Sequence, residues 1–111
     1  MRQFDSGATR DSDEDKLDYD GFLDPRVERS FAEYMHHHRL QADGKLRASD
    51  NWKKGIPTEQ YMKSKARHHR EVWETFVYDR QNVIKLIEYL NAEKFNINGL
   101  IYELLKEVSN D

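Results

Sequence analysis

The most constraining feature of the chain is a stretch over about residues 58–77 that reads as one long, uninterrupted helix. Pro57 stands just before it. Met62, Lys65, His69, Val72, Trp73 and Phe76 recur at three- and four-residue spacing, with Lys65 contributing its aliphatic stem. Ser64, Arg67, His68, Glu71 and Glu74 fall on the other side. The same period appears in three further segments. An earlier helix opens at Asp24-Pro25, where Asp caps the free amides and Pro is tolerated at the first helical position. Val27, Phe31, Tyr34, Met35 and His38 form its stripe, which reads as core. A break at Tyr78-Asp79-Arg80 leads to a third helix over about residues 81–93, with Val83, Leu86, Ile87 and Leu90 on one side. A fourth follows Asn96 or Asn98 as cap, and Ile97, Leu100, Ile101, Leu104, Leu105 and Val108 give the cleanest stripe of all. No strand alternation, repeat or glycine-rich phosphate loop interrupts this pattern. The chain is therefore expected to be all-α, with four helices on short connections forming a bundle or a pair of helical hairpins.

A chain of 111 residues suggests one domain with a modest core. With 37% hydrophobic and 35% charged residues, an oligomer is expected, since association would bury more apolar surface. There is no cysteine, hence no disulfide framework and no thiolate metal site, which fits a reducing cytoplasm. No apolar run approaches the roughly 20 residues that span a bilayer, and Met1-Arg2-Gln3-Phe4-Asp5 has no hydrophobic signal region. Residues 1–24 carry eight carboxylates against Arg2, Arg10 and Lys16, so the net −3 divides into an acidic start and a body of about +2. Residues 1–23 accordingly read as an acidic arm, loosely ordered when alone, and residues 24–111 as the helical domain. The body suits small anionic ligands but lacks the clustered basic patch that duplex DNA requires.

Chemistry-bearing residues gather in two places. Glu71 and Glu74, three apart on a helix, stand side by side. Such a pair either holds a hard cation such as Mg²⁺ or lies on a solvated face beside Arg67 and Arg70. The second place is the loop from Gln41 to Ile56, with a turn at Asp43-Gly44. Trp52 there either plugs the core or stacks on a ligand, and Asn51 and Lys54 beside it could meet a base edge and a phosphate. His36-His37-His38 fans around a helix axis and cannot converge on one ion. The run Asp11-Ser12-Asp13-Glu14-Asp15 lacks the spacing and closing Glu of a calcium-binding EF-hand.

Several segments together resemble a known group. These are Gly7-Ala8-Thr9-Arg10-Asp11, Lys16-Leu17-Asp18-Tyr19-Asp20-Gly21-Phe22-Leu23, Phe31-Ala32-Glu33-Tyr34-Met35, His38-Arg39, Ala42-Asp43-Gly44 with Leu46-Arg47, Ser49-Asp50-Asn51-Trp52-Lys53-Lys54-Gly55-Ile56-Pro57, and Tyr61-Met62-Lys63-Ser64 with Arg67-His68. They resemble the small phage and prophage proteins grouped as the N-terminal domain of dATP/dGTP diphosphohydrolases, relatives of the all-α MazG-like nucleoside triphosphate pyrophosphohydrolases. The likeness is dense from Gly7 to Trp73, and it resumes at Phe95-Asn96-Ile97-Asn98-Gly99 and Tyr102-Glu103-Leu104-Leu105. The loop from Ser49 to Pro57 is its most specific part.

The resemblance implies a four-helix MazG-like bundle assembled as a homodimer or homotetramer. It implies Mg²⁺ held by an E-x-x-E pair, which Glu71 and Glu74 fit, and by a second pair, E-x-x-D, on the next helix. Glu88 fits the start of that pair, and Asn91 stands where Asp would be. Asn brings an oxygen but no charge, so metal affinity should fall. The implied reaction is hydrolysis of a purine nucleoside triphosphate to monophosphate and pyrophosphate, with Glu71 and His68 catalytic. Arg39, Lys54 and Arg67 would meet phosphates, Arg10 and Lys16 would close over them, and Asn51 and Trp52 would hold the purine. The implied setting is the host cytoplasm. Two rivals stay open: a non-catalytic protein that sequesters or senses a purine nucleotide, and a helical adaptor for a protein partner.

Overall fold

The computed structural model describes residues 2–12 and 14–109, so Asp13 of the acidic run and the last two residues of the helical domain lie outside the described part. Two short strands, β1 (Arg2–Gln3) and β2 (Thr9–Arg10), pair antiparallel with Arg2 opposite Arg10. Four helices follow: α1 (Tyr19–Phe22), α2 (Pro25–His37), α3 (Thr58–Tyr78) and α4 (Val83–Ser109). The fold is mostly helical, as the periodicity requires. The arm is more structured than its composition suggests, since it carries a hairpin and one helical turn.

Local chemistry explains the boundaries. Asp24 caps α2, its Oδ1 accepting from the backbone amides of Arg26 at 2.8 Å and Val27 at 3.3 Å, with Pro25 at the first helical position. The Asp79–Asn82 turn ends α3, and Asn82 Oδ1 accepts from the Lys85 amide at 3.2 Å as α4 begins. The expected break between a third and a fourth helix does not exist. Residues 93–98 continue as helix, and Asn96 turns its side chain inward to donate to the Ala92 carbonyl at 2.9 Å. A buried Asn satisfied by its own helix has no reason to act as a cap. Helices three and four of the sequence reading are thus one 27-residue helix, about 40 Å long at the usual rise.

α3 and α4 lie antiparallel, and α2 packs across α4. The closest approach is at Gly99, where the missing Cβ leaves room for the ring of Tyr61. Tyr61 is the largest fully buried side chain among the described residues, at 1% exposure, and it also meets Phe95 edge-on with 5.9 Å between ring centres. Leu86 and Ala92 complete the buried apolar set, beside buried Thr75, Asn91, Glu93 and Asn96. Glu93 faces His69 Nδ1 at 3.1 Å and Lys65 Nζ at 3.8 Å. Asn91 donates to Ser30 Oγ of α2 at 3.1 Å.

The orientation of α3 departs most from the sequence reading. Tyr61, Ser64, Lys65, His68, Glu71, Val72 and Thr75 face the rest of the chain at helical spacing. Most of the apolar stripe faces outward: Met62 is 53% exposed, Trp73 63% and Phe76 55%. The stripe of α2 is likewise not fully buried, since Val27 and His38 are exposed while Phe31, Tyr34 and Met35 are half-buried. The surface is correspondingly large. The chain exposes 9441 Å² with a radius of gyration of 19.2 Å. A compact monomer of this mass would expose about 6,500 Å² and measure about 13 Å.

Gly99 gives the packing a direct test. An unhindered helical glycine gains about 1 kcal/mol on replacement by Ala. Here the new methyl group would enter the Tyr61 ring, so Gly99→Ala is expected to lose roughly 1–3 kcal/mol instead. Urea unfolding of the two proteins measures the sign.

Candidate functional site

Three helices contribute to one acidic cluster around a tyrosine, with Glu71 half-buried and Glu88 exposed. α2 supplies Tyr34, α3 supplies His68 and Glu71, and α4 supplies Glu88. His68 and Glu71 are one turn apart on the inward face of α3, with Nδ1 3.4 Å from Oε1. That distance suits an ion pair, but the geometry closes no hydrogen bond, so His68 Nδ1 is buried without a hydrogen-bond partner among the described residues. The Tyr34 phenol is held above its ordinary pKa, first by burial, then by the negative charges of Glu88 and Glu71. Both carboxylates therefore act on one phenol from different helices. His38 borders the same place: its ring stacks on Tyr34 at 4.0 Å, and its Nδ1 lies 2.8 Å from the Tyr34 carbonyl.

The other expected metal residues are placed differently. Glu74 is on the outer rim, exposed and paired with Arg70 Nε at 3.2 Å. It still shares a shallow depression of about 200 Å³ with Glu71, Thr75, Asp79, Lys85 and Tyr89. The Asn91 amide nitrogen is engaged by Ser30. Among the described residues no group of three or more His, Cys, Asp or Glu side chains is close enough to hold a metal ion. Two carboxylates with a retained water shell still match what Mg²⁺ takes from a protein when phosphates complete its coordination. Glu71 and Glu88 are the carboxylates that could take that role, and Glu74 could do so only if its pairing with Arg70 opens.

A second concavity, of about 360 Å³, lies beyond His38 between α2, α4 and the long loop. Asn51 and Trp52 line it from the single 3-10 turn Asn51–Lys54, and Arg39 lines it from the end of α2. Trp52 meets Tyr102 edge-on at 4.8 Å between ring centres. The Ile56 amide donates to Glu103 Oε1 at 3.3 Å, so the loop is fastened to α4 at two points. Glu103 stays below its ordinary pKa because Lys106 donates to it, and then because the Ile56 amide does. Arg39, Asn51 and Trp52 are thus brought together. Lys54 is exposed at the end of the turn, and Arg67 is exposed with Nη2 on Ser64 Oγ at 3.0 Å. Arg10 lies in β2 and Lys16 between β2 and α1; neither lines this chamber.

Sequence reasoning missed Tyr34 as a site residue, because its place on an apolar stripe marked it as core. The hydroxyl on that stripe was the available signal. Comparison with protein-family models, with curated proteins and with solved structures finds no match.

The cluster has a spectroscopic signature. Tyr34 is expected to titrate above the usual tyrosine range. Glu71→Gln and Glu88→Gln should each bring it down, because each removes a negative charge that opposes phenolate formation. Ultraviolet titration of each variant, with Tyr34→Phe to assign the transition, checks this.

Proposed function

We propose that the protein is a Mg²⁺-dependent pyrophosphohydrolase of purine nucleoside triphosphates, deoxy forms included, which releases monophosphate and pyrophosphate. What supports the reading is the pairing of His68 with Glu71 at 3.4 Å on α3, next to a Tyr34 phenol that feels the charges of both Glu71 and Glu88. Glu71 is half-buried on the side of α3 that faces α2 and α4, while Trp73 and Phe76 of the same helix face solvent. The resemblance of the Ser49–Pro57 loop to the dATP/dGTP diphosphohydrolase group supports the same class of substrate.

Magnesium bound there would neutralise phosphate charge and lower the pKa of a bound water. The chain's own groups do the rest. Glu71 and Glu88 supply the anionic oxygens. His68, with Nδ1 beside Glu71, can take the proton of the attacking water at Nε2. Water oxygen bonds to the α-phosphorus, the bridge from the α- to the β-phosphate breaks, and pyrophosphate leaves with the electron pair. Tyr34, kept protonated, donates a hydrogen bond to a phosphate oxygen. Arg39, Asn51 and Trp52 bind the nucleotide, while Lys54, Arg67, Arg10 and Lys16 approach it only if the loop or the arm moves.

Assembly belongs to this reading. Ile87, Leu90, Lys94, Ile97, Ile101, Leu104 and Val108 recur on α4 at alternating spacings of three and four. That is the seam of a helix that pairs with another helix. The apolar members of this seam are all exposed, and Ile87, Leu90 and Ile97 border an open depression between α4 and α2. A second copy of the chain is the natural cover, given an excess surface of about 3,000 Å² over a compact monomer. Light scattering is expected to give at least twice 13.3 kDa, and Ile101→Glu with Leu104→Glu to lower it to one chain. A single-chain mass for the native protein would refute the assembly.

A non-catalytic nucleotide-binding protein is the second reading. It is favoured by the engagement of Asn91 with Ser30 and of Glu74 with Arg70, which leaves Glu71 and Glu88 as the carboxylates for a metal. One experiment separates the two. With dGTP or dATP and Mg²⁺, monophosphate and pyrophosphate should appear, and Glu71→Gln should reduce the rate by about 10²-fold or more. Binding without turnover would instead establish the second reading.

A further inference from the structure

The loop between α2 and the 3-10 turn contains a small antiparallel ribbon. Leu40 bridges Leu46, the Arg47 amide donates to the Arg39 carbonyl at 2.7 Å, and the Gln41 amide donates to the Lys45 carbonyl at 2.9 Å. Gly44, with φ of 81°, closes the turn. In this register Arg39 and Arg47 stand directly opposite one another. Like charges placed so are destabilising. Neither arginine has a carboxylate partner among the described residues, and Arg39 Nε is buried with no hydrogen-bond partner there.

Both arginines line the 360 Å³ chamber, together with His36, His38, Ser49 and Asn51. No Asp or Glu lines it. Its apolar lining includes the rings of Phe31, Trp52 and Phe95. A cavity near the lower end of the roughly 300–1,000 Å³ range of ligand sites, with flat aromatic walls and uncompensated guanidinium groups, is suited to a planar ring that carries an anionic group.

We propose that this chamber binds a purine nucleoside phosphate with its phosphate clamped between Arg39 and Arg47 and its ring against Trp52. The fork of each guanidinium can present two donors to phosphate oxygens, and the bound anion removes the repulsion between the pair. Asn51 can meet the edge of the ring. The clamp rests on the proposed function only for the choice of a purine; it needs neither metal nor turnover. It adds Arg47, which the sequence reading did not assign, and it separates phosphate binding by arginine from the acidic cluster beyond His38.

The test is a calorimetric titration of the full chain with GMP and dGMP in EDTA at low ionic strength, with guanosine and inorganic phosphate as separate arms. Saturable binding of the nucleotides is expected, weakened by added salt. Guanosine and phosphate should each bind at least ten-fold more weakly than GMP. Arg47→Gln, at an exposed position, should weaken GMP by ten-fold or more while thermal unfolding stays unchanged or moves up, because a like-charge opposition is relieved. Arg39→Gln should do the same, and Arg47→Gln keeps the test valid should the Arg39 variant not fold. Guanosine binding as tightly as GMP, Arg47→Gln binding as native, or folded native protein taking up no nucleotide would each overturn the clamp. Arg47→Gln binding as native, with Mg²⁺-dependent turnover intact in the native protein, would overturn the clamp and leave the hydrolase reading standing, so the two failures are distinguishable.

Discussion

The structure depends on the ring of Tyr61 lying over the backbone of Gly99. That contact brings α3 close to α4 and sets the rotation of both helices about their axes. Once Tyr61 faces inward, helical geometry turns Ser64, Lys65, His68, Glu71, Val72 and Thr75 the same way. The polar side of α3 is thereby committed to the interior, and its aromatic residues to the outside. The half-buried position of Glu71 near Tyr34 is a consequence of this rotation. So are the inward Glu93, held by His69 and Lys65, and the half-buried His68.

Such an arrangement is costly for a lone chain. Buried polar groups contribute little unless satisfied, and exposed apolar groups contribute nothing. The outward stripes on α3 and α4 therefore define what the molecule lacks by itself, while the inward polar residues define what it can do. The long loop adds a separate device. It is pinned at Trp52–Tyr102 and Ile56–Glu103, and between α2 and those pins it carries an arginine ribbon over an aromatic chamber. His38, stacked on Tyr34 and lining the chamber, stands between the two polar regions.

Much of the local structure was legible in the sequence. The Asp24-Pro25 start, the extent of α3 and the turn after Tyr78 follow from capping chemistry and helical period. The continuity of α4 was not legible, because Asn96, Asn98 and Gly99 look like helix punctuation until Asn96 is seen bonding within its own helix and Gly99 is seen receiving Tyr61. Which face of α3 is inside was not legible either. Single-chain reasoning assigns the apolar stripe to the core, and that rule fails where a stripe has no cover within the chain. Among site residues, the convergence of Arg39, Asn51 and Trp52 agrees with the spacing of the loop. Glu88 near Glu71 required the antiparallel pairing of two helices, and Arg47 required a ribbon register that no periodicity reveals.

The proposal at the centre of the account is that Glu71 of α3 and Glu88 of α4 together hold a cation beside Tyr34. Paramagnetic broadening by Mn²⁺, which substitutes for Mg²⁺ on oxygen ligands, tests it in solution. At substoichiometric Mn²⁺ the account expects the ring signals of Tyr34, His38 and His68 to broaden first. Early broadening confined to the acidic arm or to Arg70 and Trp73, with Tyr34 unaffected, would contradict it.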